Sequence, residues 1–326
     1  MSSPIVRPAQ KSDIDHLVGL CEQAQHELES YNDGFYASSP QSSGQVAKTL
    51  LDALANPDGF ALVHESELGV DGLICGPLFN APPVYAPGGK VAFIDHFVVA
   101  KQSNWTQVGK ALINASDTRI KELGGVLSRI ECRHNEKQKR TLLASISFTI
   151  ASDWYYRDTN IPIPAAATSG DIEIATAADA PAIVELGERR RLQYQRYQPV
   201  FWRKAADSAE KQTPYIEYLI KERSQIVLVH KSQGKVDGFV TLGLRSASPQ
   251  YVQRGDWCST DDFTVREDQD WHTVGAALLA DAVAKAKSRG ANFTQAICGH
   301  ADEAKSRMLQ KMGYAVGHEW FVRSIN

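Results

Sequence analysis

Apolar residues recur along this chain in two rhythms, one of helical spacing and one of strand alternation, and their order predicts the elements. Ile5 to Arg7 reads as a short strand, and Ser12 or Asp13 is placed to cap a helix with Ile14, Leu17, Leu20 and Cys21 on its core face. Residues 45–55 read as a second helix, and 60–64 and 70–78 as strands joined by a tight polar turn. A long loop at 79–90, rich in proline and glycine, leads to an apolar strand, a polar loop and an amphipathic helix that Gly124 closes at its C′ position. A strand at 127–133, a helix at 135–146 and a last strand around Trp154 complete the series.

The series then runs again. Residues 172–174, 213–221, 226–230, 236–244, 293–299 and 301–312 repeat the plan, and Gly290 takes the place of Gly124. One spacing, the 166 residues from Gly109 to Gly275, pairs Asp13 with Asp179, Tyr31 with Tyr197, Phe35 with Phe201 and His64 with His230. It also pairs Tyr85 with Tyr251, Cys132 with Cys298, His134 with His300, and Trp154 with Trp320. No insertion breaks the register. The reading is a duplicated α/β fold with a mixed sheet: a domain at 1–158, a linker at 159–170 containing prolines and small residues, and a domain at 171–326.

The stretch 95–113 organises each copy and recurs at 261–279. Strand, loop and helix start in that order leave backbone N–H groups free for an anion, and small residues at Gly109 and Ala111 allow close approach. A phosphate-bearing cofactor is the expectation. Before the second loop stands Glu267-Asp268-Gln269-Asp270, which repels a diphosphate, whereas Lys101 and Lys110 flank the first. The first copy is therefore the expected cofactor site.

Bulk properties narrow the classes. The 326 residues, 43% hydrophobic and 22% charged, suit two globular domains of about 160 residues each. A net charge of −3 argues against a general nucleic-acid binder. No apolar run approaches the roughly 20 residues of a membrane span, and the start lacks a signal-peptide pattern, so a cytoplasmic location is expected. Five cysteines without metal-finger spacing read as reduced thiols, and no metal site is expected.

Candidate chemistry lies around the organising stretch. Asp95 and Asp261 share a strand face with Val99 and Val265; each either receives a proton or orders the neighbouring loop. Cys132 with His134, and Cys298 with His300, lie two apart on a strand, which makes the histidines candidate acids or bases and the cysteines weaker candidate nucleophiles. The bland alternative is a buried cysteine and a helix-capping histidine. The aromatic segment with Tyr31 and Phe35 walls an acceptor pocket or caps the core, and the long loop with Tyr85 is its expected opposite wall. His64 and His230 each end a strand and read as structural or solvated.

The order of elements, Phe97-Val98-Val99 through Val108-Gly109-Lys110-Ala111-Leu112, Phe263 through Leu279, and the Gly313-Tyr314 ending together resemble the GNAT superfamily of acyl-CoA-dependent N-acetyltransferases. The resemblance covers both halves, as in a tandem GNAT protein. It implies two GNAT folds, acetyl-CoA as co-substrate and transfer to a primary amine of a small molecule. Cofactor contacts would fall on Phe97, Val98, Val99, Asn104, Trp105, Gln107, Val108, Gly109, Lys110 and Ala111, and on Val265, Val274, Gly275 and Ala276. A backbone N–H near Val98 or Val99 would polarise the thioester carbonyl. Where the family's loop reads Arg/Gln-x-x-Gly-x-Gly/Ala, this chain has Asn104 and Gln107, then Asp270 and Thr273. Leu143 and Leu309 occupy the place of the tyrosine often used as acid. Those departures leave open a catalytically degenerate acyl-CoA-binding or subunit-pairing protein, and a homodimer and a protein acceptor are also left open.

Overall fold

The computed structural model of the chain describes residues 5–30, 37–67, 69–164, 171–222, 225–246, 250 and 255–325. Among these, the first half contains strands β1 (Ile5–Pro8), β2 (Gly59–Ser66), β3 (Gly69–Phe79), β4 (Lys90–Ile94), β5 (His96–Val99), β6 (Gly125–Arg133) and β7 (Thr149–Asp158). Its helices are α1 (Ile14–Glu29), α2 (Ser42–Ala55), α3 (Trp105–Glu122) and α4 (Lys137–Ser145). The second half repeats them as β8 (Asp171–Ile174), α5 (Ala180–Tyr197), α6 (Ser208–Glu222), β9 (Ile226–Ser232) and β10 (Lys235–Arg245). There follow β11 (Trp257–Val265), α7 (Val274–Ser288), β12 (Phe293–Gly299), α8 (Glu303–Lys311) and β13 (Ala315–Ser324).

One departure from expectation changes how the halves are joined. β13 inserts between β6 and β7, pairing Trp320 with Glu131 on one side and Glu319 with Asp153 on the other, while β7 pairs with β12 of the second half. A single sheet results, in the order β1-β2-β3-β4-β6-β13-β7-β12-β11-β10-β9-β8, with β5 on β3. Each half thus gives its last strand to the other. The physical reason is the duplication: β7 and β13 present matching residues at matching register, so either strand fits either place, and no local pattern separates the two arrangements.

Helices cover both faces. Leu112, Ile113 and Ile120 of α3 are buried against Phe60, Ile74 and Ile130 of the sheet, and the second half repeats this with Leu278 and Val283. On the other face α1 and α2 bury Leu17, Val46 and Leu50 against Val63 and Leu73.

The fourth strand parts from the fifth at the same point in both halves. β4 pairs in parallel with β6 as far as Ile94 and Ile130; after Asp95 the chain continues as β5, which pairs with β3 and leaves β6. Gly76 allows the β4 backbone to approach closely here, because a Cβ there would lie 1.9 Å from the Phe93 carbonyl oxygen. In the second half the matched position is Leu242; β11 stays one strand on β10 with a register shift between Val240 and Leu242, and leaves β12 after Thr260 and Ala296.

Matched ion pairs stitch the exchanged strands. His134 Nδ1 lies 3.4 Å from Glu319 of β13, and His300 Nδ1 lies 2.9 Å from Asp153 of β7. The Asp153 carboxylate holds the His300 imidazolium above the ordinary value of 6.5, with burial opposing; Glu319 adds to the rise and Arg140 detracts from it. In the folded chain His300 keeps its proton to higher pH than in the unfolded one. Its contribution to stability is therefore complete below about pH 6.5 and is lost as pH rises through the elevated folded value. Denaturant midpoints of wild type and Asp153→Asn should accordingly differ most below about pH 6.5 and converge in alkaline solution; a difference independent of pH would contradict the pairing.

Candidate functional site

Beyond Asp95, the separation of β5 from β6 opens a slot in the first half. On one side lies a cavity of about 290 Å³ bordered by Val98, Val99, Trp105 and three cations, Lys101, Lys137 and Lys139. On the other lies a wider cavity of about 510 Å³. Both are bordered by Ala24, Leu28, Phe97, Val98, Glu136 and Lys139, where they meet. The edge of β5 turned from β3 pairs with no strand among the described residues. Its amides and carbonyls are thus available to a ligand lying along the slot.

The matched slot in the second half is filled. A cavity of only about 30 Å³ remains beside Gly187, Arg190, Arg191, Tyr194, Asp262 and Phe263. At the shared spacing, Ala24 is replaced by Arg190 and Leu28 by Tyr194. The Arg190 guanidinium pairs with Asp302 and covers the Tyr194 ring at 4.3 Å. Lys305, the counterpart of Lys139, donates from Nζ to the Phe263 carbonyl at 3.1 Å and so occupies the strand edge that stays open in the first half. Burial, with Arg190 beside it, lowers the Lys305 ammonium to about 7. The acidic run also differs in form: Asp268–His272 is a 3-10 turn tied to α5 by Arg189 on Glu267 and Gln193 on Asp268, and α7 starts only at Val274.

The residues expected at the site fall into three groups. Asp95, Phe97, Val98, Val99 and Trp105 border the cavities. Asn104 accepts from the Gln107 amide at 3.1 Å and caps α3; the first bond inside the helix runs from the Val108 amide to the Asn104 carbonyl, which leaves the Trp105 and Thr106 amides as the free ones. Val108 and Gly109 are buried in the core, Lys110 is exposed, and neither Lys110 nor Ala111 borders either cavity. A Cβ on Gly109 would meet Leu142 at 2.5 Å, so the close approach expected at this glycine is made by protein. Val265, Val274, Gly275 and Ala276 are likewise buried, Gly275 against the Trp271 ring.

The third group lies elsewhere. His134 and His300 are the strand-stitching residues and border neither cavity of the first half. Cys132 and Cys298 are fully buried, and burial raises both thiols well above 9, so neither supplies a thiolate. Asp261 accepts from Ser259 and faces Arg245 beside the small void of the second half. Tyr85 does not wall the first cavity: its loop crosses to the second half, where the ring packs 5.1 Å from Trp202 and borders the same void. Tyr31 and Phe35 lie outside the described residues.

Asp95 is the candidate whose setting is most suggestive. It is open to the wider cavity, yet the walls around it raise its carboxyl above the usual 3.8, with Arg129 at 3.6 Å opposing. His96 beside it was not a sequence candidate. Burial and the nearby cations of Lys139 and Arg133 lower its imidazole to about 4, which keeps the ring neutral and makes it a poor base. Several other cavity residues come from the second half: Gln250, Trp257, Gln295, His318 and Trp320. Their involvement depends on the strand exchange, which the repeat itself does not signal.

Among the described residues no group of three or more potential ligands could hold a metal ion, and no helix is long and apolar enough to cross a membrane. No protein-family model and no curated sequence matches the chain. Solved structures do. A tandem GNAT protein from the clavulanic acid biosynthesis pathway is 13% identical over 99% of both chains, with a TM-score of 0.51. A GCN5-related N-acetyltransferase from Sphaerobacter thermophilus is 15% identical over 99% of this chain and 96% of its own, with a TM-score of 0.58. At these identities the likeness is one of fold: this chain contains two GNAT folds.

Gly109→Leu should cost about 1–3 kcal/mol through overpacking against Leu142 and Phe97. Thermal unfolding reads this directly; an unchanged melting temperature with weakened CoA binding would instead place a ligand against the glycine.

Proposed function

We propose that the chain is an acetyl-CoA-dependent N-acetyltransferase acting on a primary amine of a small molecule, with its chemistry confined to the first half. The observation that carries this reading is the contrast between the halves: the same slot is open beside Ala24 and filled beside Arg190. Residues at the slot fit the co-substrate. Lys101 and Lys137 suit phosphate groups, the free amides of Trp105 and Thr106 add positive potential, and the open β5 edge suits an extended amide-bearing arm.

Acetyl-CoA, when bound, supplies an activated thioester carbonyl. The amine nitrogen bonds to that carbonyl carbon and the carbon–sulfur bond breaks, giving an amide and a thiol. An alkylammonium loses one proton before attack and a second after it. Asp95 is the group placed to take protons toward solvent, since its raised pKa brings it closer to neutrality than an ordinary carboxylate. A β5 amide near Val98 or Val99 would polarise the carbonyl oxygen. Leu143, fully buried, cannot return a proton to sulfur; the Lys139 ammonium, where the two cavities meet, is the donor available for that step.

Calorimetric titration should give one CoA per chain. Ala24→Arg, which imports the residue that fills the second half, should abolish that binding while the melting temperature stays within a few degrees. Two equal CoA sites, or undiminished binding in the variant, would defeat the assignment. Asp95→Asn should lower kcat in a thiol-release assay by about 10²–10⁴-fold with little change in CoA affinity. CoA bound but never consumed across an amine panel would favour the binding-protein reading instead.

A further inference from the structure

Two lysines hold one place in the duplicated fold and behave differently there. Lys139 and Lys305 are both buried, each on the last helix of its half and each beside a matched pair of edge-to-face rings, Phe97 with Trp105 and Phe263 with Trp271. Phe97 lies opposite Ile74 on β3 as Phe263 lies opposite Val240 on β10, so the two carbonyls share a register. Their lysines do not treat them alike. Lys305 Nζ donates to the Phe263 carbonyl at 3.1 Å and lies 4.8 Å from that ring, whereas Lys139 Nζ stands back at 5.9 Å from the Phe97 ring.

The carboxylate three residues earlier accounts for the difference. Glu136 Oε1 accepts from Lys139 Nζ at 3.0 Å, while its Oε2 accepts from the Arg133 amide at 2.6 Å and so anchors the carboxylate to the end of β6. The matched Asp302 is a methylene shorter and already engaged. Its Oδ2 pairs with Arg190 and its Oδ1 accepts from the Lys305 amide at 3.3 Å, so the second lysine extends to the strand edge instead. A buried ammonium that loses its carboxylate needs another acceptor, because an unpaired charge out of water is strongly unfavourable. Beside Lys139 that acceptor is in place, on the open edge of β5.

Deepening the transferase reading above, we propose that Glu136 is a positioning residue: it tethers Lys139 clear of the Phe97 carbonyl, and without the tether Lys139 closes the first slot as Lys305 closes the second. The proposal rests on that reading in one respect, that the co-substrate's arm lies along the β5 edge which the released lysine covers. It also gives Ala24→Arg a second effect, since a guanidinium there competes with Lys139 for Glu136.

Glu136→Gln on the full chain tests the tether. The amide oxygen stays on the Arg133 N–H, and the amide nitrogen then faces the Lys139 ammonium, donor against donor. By calorimetry CoA affinity should fall about tenfold or more, the loss expected when about one molecule in ten keeps the slot open. Adding Lys139→Met should return it to the affinity of Lys139→Met alone, a rescue that a merely structural role for Glu136 does not give. Carbonyl NMR of the chain labelled with carbonyl-13C phenylalanine reads the lysine without CoA: the Phe97 resonance should move in Glu136→Gln and return in the double variant. Should Glu136→Gln not fold, Glu136→Asp, which withdraws the carboxylate by one methylene, takes its place with the same expectations. An unmoved Phe97 resonance, an unchanged affinity in a chain that binds CoA, or a loss that Lys139→Met does not relieve overturns the proposal. A Phe97 resonance that follows Lys139 in a chain that takes no CoA keeps the tether and removes the transferase reading.

Discussion

A strand that leaves its neighbour must do something with its backbone. After Asp95, β5 turns from β6 and one of its edges loses its ladder partners, in a setting where a buried, unsatisfied backbone group costs about 1–3 kcal/mol. The two halves answer differently. In the second, Lys305 reaches the Phe263 carbonyl, and Arg190 and Tyr194 fill the space beside it, at the expense of holding an ammonium out of water. In the first, the matched positions carry Ala24 and Leu28, the space stays open, and the edge is left for water or a ligand. One fold with a few exchanged side chains thus yields one open slot and one filled slot.

The exchange of β7 and β13 makes the two halves interdependent. The floor of the wider cavity continues from β6 through β13, β7 and β12 to β11 and brings in His318, Gln295 and Trp257. The stitching pairs His134–Glu319 and His300–Asp153 lie on those same strands, so features that hold the halves together also hold the cavity's shape. The wider cavity beside the open slot is thus completed by residues of the filled half.

Much of the fold was legible in the sequence. Periodicity located the elements, a constant spacing revealed the duplication, and the glycines Gly124 and Gly290 end their helices at positive φ as their positions suggested. The site was only partly legible, for a physical reason. Matching the copies selects residues kept in both, such as Gly109 with Gly275 and His134 with His300, and these pack the fold or stitch it. What separates an open slot from a filled one lies where the copies differ: Ala24 against Arg190, Leu28 against Tyr194, His96 against Asp262. Tyr85 misled because its loop crosses to the other half, and the strand exchange left no trace because the exchanged strands are near-equivalents. Asp95 was reached by strand alternation and does border the cavity.

The central claim is that the parted strands of the first half, and not those of the second, receive the diphosphate-bearing thioester. Hydrogen exchange on the intact chain, with and without saturating CoA, reads both places at once. The account predicts slowed exchange at 96–106 and 131–139, with no change at 262–272 and 297–305. Protection of the second stretch, or of neither, would contradict it.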